Sequence, residues 1–182
     1  MKQFALALLL LALFTGSAGA QDCLEWKEGR KIAWSDFTGR PDNTSEHWAY
    51  TRYYINYKYS YNNTGAITIT VTSCFRKDQS WKKAEKELTA ALLLHEQQHF
   101  DIGELYARKI RKAFASYTAT HKHNANTTSE LNALFEKLMT EAAGYQDQYD
   151  SETDHSKNRE NQARWNSRVA TELAALADYK AH

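Results

Sequence analysis

The stretch LTAALLLHEQQHFDIGELYARKI, Leu88 to Ile110, reads as a helix whose apolar side carries two histidines. Leu88, Ala91, Leu92, Ile102 and Tyr106 recur at helical spacing and share one side. His95 and His99 fall on that side too, one turn and about 6 Å apart. Two imidazoles so placed can bind one zinc ion. Glu96, directly after the first, stands where it can take a proton from water that the metal activates. Either histidine alone reads better as a core residue satisfied by a nearby carbonyl or hydroxyl. The pattern H-E-x-x-H as a whole favours the metal.

A catalytic zinc needs a third protein ligand and keeps one position open. Asp101 and Glu104 have rotated off the ligand side of the helix. His121 and His123 lie in the polar segment HKHNANTT, where a solvated role is the simpler reading. The segment QYDSETDHS gathers Tyr149, Asp150, Thr153 and His155 at the end of the next expected helix. For His155 the plain alternative is a surface histidine in a hydrophilic turn.

Upstream, from Leu24 to Phe75, the segments KIAW, WAYTRYYINYKYSY and AITITVTSCF alternate at strand spacing and predict three or four antiparallel strands. In the second segment Thr51, Tyr53, Ile55, Tyr57 and Tyr59 form the more apolar face. Tyr61 to Gly65 has the Asn and Gly of a hairpin turn, and the only proline, Pro41, lies in a loop. From Trp81 onward the period becomes helical, and helices are expected near Lys82–Ser116, Thr128–Tyr149 and Asn158–Tyr179. Strands followed by helices make an α+β fold: a small antiparallel sheet, then a helical half carrying the H-E-x-x-H helix.

Met1 to Ala20 has a basic residue, an apolar run and a small-residue A-x-A end, the three parts of a secretory signal peptide. The run is short of the roughly 20 residues needed to span a bilayer. The mature domain is expected to be Gln21 to His182, exported to the periplasm or beyond, with no membrane span after cleavage. Removing Lys2 with the leader leaves 22 basic against 22 acidic residues, a balance that offers nothing to a nucleic acid. Cys23 and Cys74 are the only cysteines, and an oxidising compartment predicts a disulfide between them.

Taken in order, IAWSDFTGRPD, AITITVTSCFRKDQSW, LLLHEQQHFDIGELYAR and YDSETDHSKN, followed by Gln162 and Trp165, resemble a bacterial family of predicted secreted zinc-dependent proteases, long catalogued as a domain of unknown function. The resemblance covers nearly all of the mature chain. It implies a zincin-like domain binding one Zn2+ per chain through His95, His99 and His155, with Glu96 as the base. Where the family often has glycine after the last histidine, this chain has Ser156. The expected function is that of a secreted zinc metallopeptidase acting on a peptide or protein substrate. Tyr149 is expected to donate to the oxyanion as a second catalytic group, and Asp150 to hold a ligand imidazole from behind. The strand near Ala66–Phe75 is expected to offer its edge to an extended peptide. Two rivals stand beside this: a structural zinc-binding envelope protein, closed by His121 or His123, and a zinc hydrolase of a cell-wall amide or ester.

Overall fold

Strand alternation in the first half resolves into two antiparallel sheets. In the computed structural model, which describes residues 23–83 and 88–181, β3 (Tyr53–Tyr61) and β4 (Ile67–Arg76) form a long hairpin. β1 (Cys23–Glu25) pairs with the far end of β4, giving the order β1-β4-β3. β2 (Ala49–Tyr50) and β5 (Trp81–Lys82) make a separate two-stranded ribbon. The expected leader, Met1 to Ala20, lies outside the described residues.

At the hairpin turn Asn62 Oδ1 accepts from the backbone N–H groups of Thr64 and Ala66, each at 3.0 Å. Gly65 takes a φ of +75°, open to glycine because it has no Cβ. Along β3 the inward and outward faces fall as the alternation predicts, with Thr51 and Ile55 buried and Tyr54, Asn56, Lys58 and Ser60 exposed.

Two expected elements differ. KIAW is not a strand: Gln97 Oε1 accepts from Ile32 N–H at 2.7 Å and Asp36 Oδ2 from Ala33 N–H at 2.9 Å. Side chains replace ladder partners there, and a 3-10 turn (Trp34–Asp36) follows. The first long helix does not begin at Lys82, which pairs in β5, but as α1 (Ala90–Thr120). Its start is set by Thr89, whose hydroxyl accepts from Leu92 N–H at 3.1 Å.

Two further helices, α2 (Thr127–Thr153) and α3 (Arg159–Ala175), pack on α1, which is covered on its other side by β3 and β4. The molecule is α+β, with one central helix buried nearly all round rather than along a stripe. That is why α1 carries polar side chains with fixed partners. Glu104 Oε1 accepts from Arg108 Nε and Arg111 Nη1, each at 3.0 Å. Asp101 accepts from Trp26 Nε1 at 2.7 Å and Gln97 Nε2 at 2.9 Å. Gly103 lets α1 lie close on β3, since a Cβ there would stand 2.9 Å from the Tyr53 ring. One apolar cluster, with Ile102, Leu105, Ile110, Phe114, Leu131 and Tyr149, fills the space between sheet and helices.

The expected β4 edge is covered by a strand only at its far end, and no described strand pairs with the outer side of residues 67–73. β3 pairs with one side of β4 throughout, and β1 covers Cys74–Arg76 on the other. Farther along, the Arg111 guanidinium donates to the Val71 carbonyl at 3.3 and 3.4 Å. The segment that reaches the H-E-x-x-H turn is instead the one after β2, where Thr51 Oγ1 donates to the Glu96 carbonyl at 3.2 Å.

Cys23 and Cys74 are joined in a disulfide whose partners are 51 residues apart in sequence. A loop of that size, closed in the unfolded chain, corresponds to about 4 kcal/mol in the chain-entropy picture. Urea unfolding of the Cys23→Ser/Cys74→Ser protein should show a loss of about 2–4 kcal/mol; an unchanged midpoint would contradict the stabilising role. No described helix is long and apolar enough to cross a membrane.

Candidate metal centre

α1 places His95 and His99 one turn apart, and their Nε2 atoms lie 3.1 Å from each other. The third member comes from α2. That helix runs four residues beyond the expected end at Tyr149, so Gln146, Tyr149, Asp150 and Thr153 share one face of its last turns. Asp150 Oδ1 sits 3.1 Å from His95 Nε2 and 3.0 Å from His99 Nε2. The chain then turns through three residues with positive φ, Asp154 at +44°, His155 at +48° and Ser156 at +78°. This brings His155 Nδ1 to 3.7 Å from the same Asp150 oxygen. The +78° at Ser156 is a conformation that glycine adopts freely and other residues rarely.

The outer nitrogens of the two helix histidines are fixed by amides. His99 Nδ1 lies 2.6 Å from Gln146 Oε1, and Gln146 Nε2 donates back to the His99 carbonyl at 3.0 Å. His95 Nδ1 lies 3.2 Å from Gln162 Oε1, while Gln162 Nε2 donates to the Tyr149 hydroxyl at 2.7 Å and to Asn166 Oδ1 at 2.8 Å. A glutamine oxygen only accepts, so in both rings Nδ1 carries the proton and Nε2 presents a lone pair inward.

Two lone pairs and a carboxylate oxygen therefore face one another at 3.0–3.1 Å. Asp150 Oδ1 is buried and, despite these short distances, takes part in no well-directed hydrogen bond. A positive charge among these atoms, a proton or a metal ion, offsets the repulsion of the facing lone pairs. Donors around a tetrahedral zinc, each about 2.0–2.1 Å from it, stand about 3.3 Å apart, so spacing and donor chemistry both fit that ion. The electrostatics agree in direction. Burial pushes the Asp150 carboxyl up, but the adjacent His95 and His99 rings outweigh it and hold the group well below the usual carboxylate range. Burial opposes charge on His99, yet Asp150, Glu96 and Gln146 together push its affinity for a proton up.

Glu96 is 3% exposed, and its Oε2 has no hydrogen-bond partner among the described residues. Its charge is felt by both His99 and Tyr149. Tyr149 stands elsewhere than an oxyanion donor would. Its ring is fully buried and stacked on His95 at 4.7 Å, and its hydroxyl donates to the His95 carbonyl at 3.1 Å. Burial holds that phenol well above its usual range, so it stays neutral. Asp150, expected behind a ligand imidazole, presents its oxygen to the inner Nε2 atoms instead. His155 is at the rim, its side chain 45% exposed. His121 and His123 are remote, about 39 Å from His95 along α1 at 1.5 Å per residue, stacked on Tyr117 and Tyr61.

Sequence reading singled out Gln162 only as part of the resemblance, without a role, and missed Gln146 altogether. Glutamine has no chemistry that marks it as a group setting a ring. The spacing of Gln146 three and four residues before Tyr149 and Asp150 was the available sign, and it acquires meaning only once α2 extends to Thr153.

What the fold and cluster define is an α+β protein with a His–His–Asp donor set between its central helix and the end of the next, bordered by a further histidine. The sequence signature of a bacterial protein family of unknown function, DUF922, matches residues 30–156, and the chain belongs to that family. The match spans the strand half, the H-E-x-x-H turn and the segment through His155; Gln162 lies beyond it. Neither a curated protein nor a solved structure matches the chain.

Proposed function

We propose that the protein is an exported zinc-dependent hydrolase whose substrate is a peptide. The observation that carries this is the meeting of His95 Nε2, His99 Nε2 and Asp150 Oδ1 at 3.0–3.1 Å, with a buried Glu96 whose Oε2 has no hydrogen-bond partner among the described residues. His95, His99 and Asp150 would hold the ion, with His155 as a fourth donor at the rim. A bound zinc ion supplies Lewis acidity, polarising a carbonyl and making water nucleophilic at neutral pH.

The chain's own residues do the rest. Glu96 takes the proton of the attacking water and passes it to the leaving nitrogen, so that one carboxylate serves as base and then as acid. Gln146 and Gln162 keep the two imidazoles in the tautomer that presents Nε2. Tyr149 stiffens the arrangement by joining the His95 backbone, the His95 ring and Gln162. Export rests on the leader pattern of Met1 to Ala20 and agrees with the internal disulfide.

A structural zinc protein is the second reading, and the presence of a fourth nearby donor, His155, favours it. Glu96 weighs against it. Burying a carboxylate with an unpartnered oxygen is costly, and a purely structural site has no use for that group. Cleavage of mixed protein substrates by the mature protein tests the choice. Activity should disappear with a chelator and return on adding zinc. Chelator-insensitive cleavage would contradict the metal, and cleavage only of cell-wall amides or esters would contradict the peptide.

A further inference from the structure

We infer that His47 is a positioning residue for His155, an inference that rests on the metal reading above. The two rings lie 4.7 Å apart, centroid to centroid, at an interplanar angle of 59°. His47 comes from the strand half of the chain, ahead of β2, and belongs to neither motif block. His155 needs such a neighbour. Its backbone is pinned by the bond from its N–H to the Asp150 carbonyl at 3.1 Å, but its half-exposed ring meets Asp150 at 3.7 Å and is otherwise free to change rotamer. The tilted His47 ring packed beside it confines it to the rotamer that keeps Nδ1 toward the cluster.

The loop that presents His47 is itself held. Asp42 Oδ1 accepts from Thr44 N–H at 2.9 Å and from its hydroxyl at 2.6 Å. His47 N–H donates to Ser45 Oγ at 3.1 Å, the Lys83 ammonium to the Ser45 carbonyl, and Lys83 N–H to the Trp48 carbonyl at 2.8 Å. A loop tied at Ser45 and Trp48 to Lys83, the residue after β5, holds a ring in place. The contact is ring against ring, so the imidazole's nitrogens are dispensable and another flat ring can replace it.

Zinc affinity, measured by competition with a chromophoric chelator, and the visible absorption of the cobalt-loaded protein test this. His47 is exposed, so its variants keep the fold. His47→Ala should weaken zinc binding by about tenfold, the low end for loss of a group that orients a ligand, and should shift the cobalt bands. His47→Phe should restore most of both. His155→Ala should lower affinity too, and adding His47→Ala to it should cost nothing further, because the first residue acts only through the second. Wild-type affinity in His47→Ala, no rescue by Phe, or a loss that persists in the His155→Ala background would each overturn the inference while leaving the metal site standing. A wild type that takes up neither zinc nor cobalt would overturn the metal reading, and this inference with it.

Discussion

Glu96→Gln is expected to lower the proposed zinc-dependent hydrolysis by at least about 10²-fold, the usual contribution of a general base, while zinc content stays that of the wild type. The amide keeps the size of the carboxyl and its place on α1, so the neighbouring donors are undisturbed. It also removes a buried charge that has an unpartnered oxygen, so stability should hold or rise rather than fall. The comparison needs both proteins loaded with equal zinc, a chelator control, and an unfolding curve for each. A variant that cleaves as fast as the wild type would remove Glu96 from the mechanism. If Glu96→Gln loses its zinc, the residue supports the site rather than acting on water.

Some of this site could be read from the sequence because helix periodicity does the work. Residues four apart on one helix face the same way whatever surrounds them, so His95 and His99 were placed without knowledge of the fold. The strand faces of β3 followed from period two for the same reason. Asp150 was different. Its spacing within its own helix says nothing about where α2 crosses α1, and that crossing is what carries its Oδ1 to the inner nitrogens of both histidines. Ending α2 at Tyr149 hid this, since Asp150 and Thr153 then fell outside a helix that in fact includes them.

Tyr149 shows the reverse failure. A tyrosine beside a metal motif reads as a hydrogen-bond donor to substrate, yet its burial and its bond to the His95 carbonyl give it a role inside the scaffold. KIAW read as a strand because its composition is right, but the competing hydrogen bonds come from Gln97, far along the chain. Tertiary partners overrode a local pattern there.

Replacing both His95 and His99 by Ala should abolish zinc binding. It removes two of the three inner donors and leaves Asp150 with a half-exposed His155, a loss of several kcal/mol from a site of the strength that structural zinc centres reach, or on the order of a thousandfold or more in affinity. Elemental analysis of the purified protein after dialysis reads this directly. Close to one zinc per chain in the wild type, and none in the His95→Ala/His99→Ala protein, is the expected result. Zinc retained undiminished in that variant, or absent from a wild type given zinc before dialysis, would contradict a metal centre at the meeting of α1 and α2.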